Sequence, residues 1–242
     1  MAAERYGRFY QKGNPVGDCQ TVADSKRRFF AAYPRVIPGL YRRVVDELLV
    51  ELHLLSCQQG FQADALFSLG LTQVFDNFTK GFQPEDRRED LFQALCVATS
   101  LSTEVMRRQA SELTKGISPH GEKEISSWLE ARGEGAPEPL KQVLQQATRA
   151  DFHYSRLHAV GLMALIQDLS GGKDQEPEAI RKRAASVGEQ MGLQQEKLDK
   201  DMGLYASNLE KMAQAVEMME ETVASVKRRR ERQSSVSETP IT

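Results

Sequence analysis

Between Ile37 and Leu55 the chain repeats large apolar residues at intervals of three and four: Ile37, Tyr41, Val44, Leu48, Leu52 and Leu55. Leu40, Val45 and Leu49 widen the stripe. Such spacing places them on one broad face of a helix, and a face that broad must be covered on more than one side. Burying each large aliphatic side chain stabilises by roughly 1.5–3 kcal/mol, so this helix is expected at the centre of a core. The opposite face sets Arg42 four residues before Asp46 and Arg43 four before Glu47, with Glu51 one turn further on. These are favourable spacings for solvated ion pairs on a helix. The same five charges are also a candidate partner-binding face.

The remaining segments follow the same period. Thr21 with Asp24 resembles a capping box, opening a helix that Pro34 stops. Asp64 caps a third helix, with Phe67, Leu71, Val74, Phe75 and Phe78 on one face. Gly70 in its middle costs about 1 kcal/mol against Ala, which predicts close approach of a neighbouring helix. Pro84, Glu85 and Asp86 open a fourth helix with acids at its positive end. Further helices are expected at about 102–115, 121–132, from 140, and at 152–169, the last to pack against the helix at 37–57. No run alternates with a period of two between hairpin turns, so no sheet is expected and the fold class is all-α. The organisation expected is a flexible tail (1–20), a helical bundle (21–170), a linker region (171–185), a long C-terminal helix (186–232) and a disordered tail (233–242).

That last helix is a different kind of sequence. Leu198, Met202, Tyr205, Leu209, Met212, Val216, Met219, Val223 and Val226 alternate by four and three, a heptad seam like that of a coiled coil. Two readings stay open: the helix folds back on the bundle, or it projects and its seam binds another helix. The seam residues are therefore candidate partner contacts. Lys227, Arg228, Arg229, Arg230 and Arg232 follow it. They suit the negative end of a helix dipole, or a contact with anionic lipid.

Composition excludes several classes. The formal net charge of the 242 residues is −2, and basic residues and aromatics are not interleaved on a face, so nucleic acid is not an expected partner. Apolar runs such as Gly161–Ile166 fall far short of the roughly 20 residues that span a bilayer. The N-terminus lacks the apolar region of a signal peptide. Cys19, Cys57 and Cys96 are far apart and unpatterned, so no disulfide framework is expected. His53, His120, His153 and His158 are isolated, without the spacing of a metal site, and His53 reads as a hydrogen-bonded residue at the core edge. Ser170-Gly171-Gly172-Lys173 matches the S-x-x-K pattern of serine acyl enzymes but sits in a linker without the companion motifs. No catalytic residue, cofactor or metal is expected.

Four blocks carry a resemblance. TVADSKRRFFAAYPR with YRRVVDELLVELHLLS, LGLTQVFDNFTKGFQPEDRREDLFQALC (69–96), FHYSRLHAVGL (152–162) and LDKDMGLYASNLEKMAQAVEMMEE (198–221) run in order through the chain. Together they resemble the thylakoid formation family, also called a photosystem II biogenesis factor, of the cyanobacterial type. Residues 100–140 and both termini fit that pattern poorly, and His158 stands where the family has a bulkier apolar residue. The resemblance implies a non-enzymatic, all-helical factor, peripheral on the cytoplasmic side of the thylakoid membrane. It implies a role in photosystem II assembly and repair through FtsH-type membrane protease complexes, or a general scaffold that meets the protease only indirectly.

Overall fold

The structure is a computed structural model; it describes residues 20–169 and 176–237, without the side chains of Glu122 and of residues 230–237. Ten α-helices and no strand occur among the described residues. They are α1 (Val22–Ala32), α2 (Gly39–Ser56), α3 (Ala65–Phe78), α4 (Arg88–Ala98), α5 (Thr103–Ile117), α6 (Glu122–Glu130), α7 (Glu138–Ala147), α8 (Arg156–Leu169), α9 (Pro177–Gln190) and α10 (Gln195–Ser237). Local chemistry fixes most of the starts. Thr21 and Asp24 form the reciprocal capping box, Asp64 accepts from the Phe67 N–H at 2.8 Å, and Ser102 caps α5. Pro84 leads into a 3-10 turn at Glu85–Arg87 before α4 begins.

The centre of the fold is α3, not α2. Every residue from Ala65 to Thr72 is buried, as are Val74 and Phe75. Helix α2 buries one face (Tyr41, Val45, Leu48, Leu49, Leu52, His53 and Leu55) and leaves its charged face outside. Periodicity concealed this, because α3 carries Ser68, Gly70 and Thr72 at positions that a plain core helix would fill with aliphatic residues. The fold satisfies those polar groups internally. Thr72 Oγ1 donates to the carbonyls of Ser68 and Leu69 at 3.0 and 2.9 Å, and Ser68 Oγ donates to Gln109 Oε1 at 2.8 Å.

Helix α8 crosses α3 at a pair of glycines. A Cβ placed on Gly70 would stand 1.8 Å from the Leu157 carbonyl oxygen, and one on Gly161 would stand 2.2 Å from the Leu66 carbonyl oxygen. The backbones therefore touch, as the mid-helix glycine predicts. α8 packs chiefly on α3 rather than on α2.

Two apolar clusters lie on either side of this crossing. One gathers α1, α2 and α4 around Phe67, Leu71 and Phe75; the other gathers α5 to α9 around Leu66 and Leu69. Cys96 is a free thiol buried in the first, where burial pushes its pKa up to about 12.

The C-terminal third departs from the expected layout. Residues 177–185, placed in a linker by composition, belong to α9, where Ile180, Ala184 and Ala185 are buried. The signals were present: Pro177 at the first helical position, then Ile180, Ala184, Gly188 at four-residue spacing. Gly192 (φ +86°) ends α9 in a Schellman turn, with the Leu193 N–H on the Gly188 carbonyl and the Gly192 N–H on the Glu189 carbonyl, both at 2.9 Å. The chain then reverses into α10, which starts at Gln195 rather than near 186 and continues to Ser237, past the expected end at 232. Residues 1–19, 170–175 and 238–242, which include the Ser170–Lys173 motif, nearly all of the expected N-terminal tail and half of the expected C-terminal one, lie outside the described residues, while 233–237 of that tail belong to α10.

The seam of α10 divides in two. Leu198 and Met202 are fully buried in the second cluster; Tyr205 and Met212 are buried in the first, with Leu209 and Val216 packed partly against it. This half folds back as core. Past Glu220, which still lies beside Gly81, the helix leaves the bundle, and every described side chain from 220 to 229 is exposed.

Two measurements test this packing. Gly70→Ala should destabilise by about 3 kcal/mol or more, since the methyl meets backbone that cannot yield as a side chain would; urea unfolding measures it. A chain ending at Leu169 should lose its cooperative melting transition in circular dichroism, because it leaves parts of both clusters uncovered where α9 and α10 were.

Candidate interaction surface

The charged face of α2 is not merely solvated. Arg42 and Asp46 (3.8 Å) and Arg43 and Glu47 (2.9 Å) pair as their spacing predicts, on exposed side chains. Glu51 instead turns toward α8, where Arg156 bonds its carboxylate at 2.7 Å and Ser155 Oγ approaches it at 3.4 Å. Exposed pairs of the first kind contribute little to stability. The Glu51–Arg156 pair, with only 17% of the Glu51 side chain exposed, ties α2 to the start of α8.

Around this tie the surface is concave. An open depression of about 720 Å³ is rimmed by Lys26, Arg43, Asp46, Glu47, Glu51 and Arg156 and floored by Val50, Leu54 and Leu55. Leu54 is 56% exposed there. Glu47 and Arg156 also border a narrower cleft of about 70 Å³ between α2, α3, α8 and α10, into which Val44, Leu204, Tyr205 and Asn208 reach. The two form one continuous surface with apolar patches inside a mixed-charge rim. Sequence reasoning named Arg43, Asp46, Glu47, Glu51 and Tyr205 but missed Arg156, Leu54 and Leu204. Arg156 follows a loop and carries no periodic signal, and an exposed leucine on an amphipathic helix is unremarkable until its neighbours are known.

Two tyrosines anchor the surface. Tyr154 Oη donates to Asp201 Oδ2 at 2.8 Å beneath the Lys197 ammonium, fastening the α8 entry to α10. Burial, then the Asp201 carboxylate, push its phenol well above the usual tyrosine range. Tyr205 Oη accepts from Asn77 Nδ2 at 2.8 Å; burial raises its pKa also, against a smaller lowering from that bond.

The other predicted residues are scattered. Of the seam, Leu198, Met202, Tyr205 and Met212 are core and present no free docking face; Leu209 and Val216 are partly covered, and Met219 lies at the edge of the bundle. Lys227, Arg228 and Arg229 are exposed, and the side chains of Arg230 and Arg232 lie outside the described set. Because α10 runs on to Ser237, Lys227 to Arg229 sit too far from its end to serve as dipole caps. His53 is buried at the core edge, its Nδ1 2.9 Å from Ser25 Oγ. No three potential metal ligands converge among the described residues. Cys57 Sγ lies 3.8 Å from His53 Nε2 at the end of α2. His158, the departure from the expected pattern, lies buried with its Nε2 3.5 Å from Asp64 Oδ2 at the start of α3.

Fold and surface define an all-α helical-bundle protein with one long helix running past the bundle. A family model described as thylakoid formation protein matches residues 21–234, and the chain belongs to that family. Its function lies with thylakoid formation. Protein Thf1 of Prochlorococcus marinus (strain MIT 9313) is 46% identical over 91% of this chain and 91% of its own length. Protein Thf1 of Synechococcus elongatus is 44% identical over 87% of this chain and 84% of its own. The solved structure of Psb29 at 1.55 Å superposes with a TM-score of 0.74, at 37% identity, covering 87% of this chain and 98% of that one. No helix among the described residues is long and apolar enough to cross a membrane.

The raised tyrosine pKa values give stability a sign at high pH. The unfolded chain releases phenolic protons near pH 10, while folded Tyr154 and Tyr205 hold theirs. Stability is therefore complete below about pH 10 and falls as pH rises toward the folded values. Urea midpoints taken from pH 8 to 11 should decline, and Tyr154→Phe with Tyr205→Phe should flatten the decline.

Proposed function

We propose that this chain is a non-enzymatic accessory factor in thylakoid biogenesis and photosystem II assembly and repair. It acts by binding and stabilising FtsH-type membrane protease complexes, from a peripheral position on the cytoplasmic side of the thylakoid. Membership of the thylakoid formation family supports the setting. The observation that carries the binding mode is the concave surface shared by α2, α8 and α10. Most of its rim charges are already paired, as Arg43 with Glu47, Asp46 with Arg42 and Glu51 with Arg156, so a partner meets little uncompensated charge. Exposed Leu54 and Leu204 supply the apolar area that association needs. Paired ions and apolar patches suit recognition of a folded domain or helix. Hydrolytic chemistry needs a free nucleophile with an adjacent base; Ser155 Oγ, 3.4 Å from Glu51, is buried, and the Glu51 carboxylate is engaged by Arg156.

Affinity purification of the tagged chain from gently solubilised cyanobacterial thylakoids tests the proposal. The wild-type chain should bring down FtsH subunits in stoichiometric amount. Glu47→Lys combined with Leu204→Asp alters only exposed positions, so melting should be unchanged while recovered protease falls at least about tenfold, a cost of about 1.4 kcal/mol in binding. Undiminished recovery with this variant would remove the surface from consideration; failure of the wild type to retrieve the protease would sink the protease reading itself.

A further inference from the structure

One ionisable pair lies wholly inside the bundle, where α3 and α8 begin. The His158 and Asp64 side chains are 1 and 3% exposed, and His158 Nε2 stands 3.5 Å from Asp64 Oδ2. Neither atom has a hydrogen-bond partner among the described residues. The other polar atoms of both groups are engaged. Asp64 Oδ1 accepts from the Phe67 N–H and caps α3. His158 Nδ1 lies between the two polar backbone groups of Ser155, 3.0 Å from the amide nitrogen and 3.2 Å from the carbonyl oxygen.

That position serves both protonation states of the ring. A neutral imidazole accepts the Ser155 N–H at Nδ1 and keeps its own proton on Nε2, toward the carboxylate. An imidazolium carries both protons, so Nδ1 must donate, and the Ser155 carbonyl is within reach. Phe67, Phe152 and Tyr154 wall the ring at centroid distances of 5.6, 5.2 and 6.0 Å. The charged groups of the neighbouring elements are engaged elsewhere. Glu51 of α2 bonds Arg156, Asp201 of α10 accepts from Tyr154 beneath Lys197, and Arg149 of the preceding loop pairs with Asp151. His153 Nε2 contacts the Gln59 carbonyl. Among the described residues, only Asp64 forms an ion-pair contact with the imidazole.

We infer that His158 and Asp64 form a proton switch at the entry of α8. Proton uptake by the ring pairs Nε2 with the Asp64 carboxylate and turns Nδ1 from acceptor of the Ser155 N–H to donor to the Ser155 carbonyl. Ser155 Oγ and Arg156 both contact Glu51 on the wall of the depression, so the switch acts on the docking surface. That consequence rests on the function proposed above; the switch itself does not.

Histidine-selective 15N NMR of the full chain from about pH 4 to 9 spans the interval in which histidine changes charge. His158 should pass from a ring protonated at Nε2 alone, at the alkaline end, to one protonated at both nitrogens. The Ser155 amide proton should move upfield at the same midpoint, as it loses its acceptor. Asp64→Asn removes the charge and keeps an oxygen to cap α3; Asp64→Ser is a second neutral cap should the first variant fail to fold. In either variant the His158 midpoint should fall by at least about one pH unit, a tenfold loss of proton affinity. A ring that keeps one protonation state throughout overturns the inference. So does a Ser155 amide indifferent to the His158 titration, or a midpoint unmoved by loss of the carboxylate. None of these readouts involves the protease, so failure of the switch and failure of the proposed function are told apart.

Discussion

The fold depends on the contact between the backbones of α3 and α8. At Gly70 and Gly161 each helix presents bare main chain to the other, and no side chain larger than hydrogen fits at either position. That closeness lets α3 be covered on all sides within a single bundle. Helices α1, α2 and α4 close one flank, and α5, α6, α7 and α9 close the other. Buried Ser68 and Thr72 are tolerated because their hydroxyls bond within or immediately beside the crossing. Wider spacing would open cavities along both flanks, and cavities are costly in proportion to their volume.

The surface beside α2 follows from that arrangement. Since α3 takes the centre, α2 is a covering helix with one face left to solvent, and its charges become available at the rim of a concavity. The entry to α8 is pinned twice, by Arg156 on Glu51 and by Tyr154 on Asp201. These bonds hold elements from distant parts of the chain in one rigid frame. A preformed surface of this kind loses little entropy on docking, which favours specific association over adaptable contact.

Much of this was legible in the residues. The helices before Leu169 follow from apolar periodicity and from caps such as Thr21–Asp24 and Asp64, and Gly70 announces its crossing. Three things were not. The rank of α3 over α2 depends on how many sides a helix has covered, which a one-dimensional pattern does not encode. Helix α9 buries small residues, Ala184, Ala185 and Gly188, whose weak hydropathy reads as linker. The seam from Leu198 to Val226 is uniform in spacing, yet half of it is core. Where it parts from the bundle depends on its neighbours α3, α8 and α9 and on Gly81, which the spacing does not encode. The depression was half visible: its α2 charges could be named, but Arg156 and Leu204 join them through tertiary structure alone.

The double character of α10 also has a rotational consequence. A helix turns by about 100° per residue, and α10 is continuous from Gln195 to Ser237. Leu198, Met202, Tyr205 and Met212 fix its azimuth in the bundle, and so fix the compass bearing of Val223 and Val226 beyond it. Loss or gain of one residue near Ala215 would leave composition and both cores intact while swinging the exposed stripe by more than a quarter turn. Seven residues would restore its heading and move it outward by about 10 Å. The phase between the two halves of the helix is thus set by its length, and only steps of whole heptads preserve it.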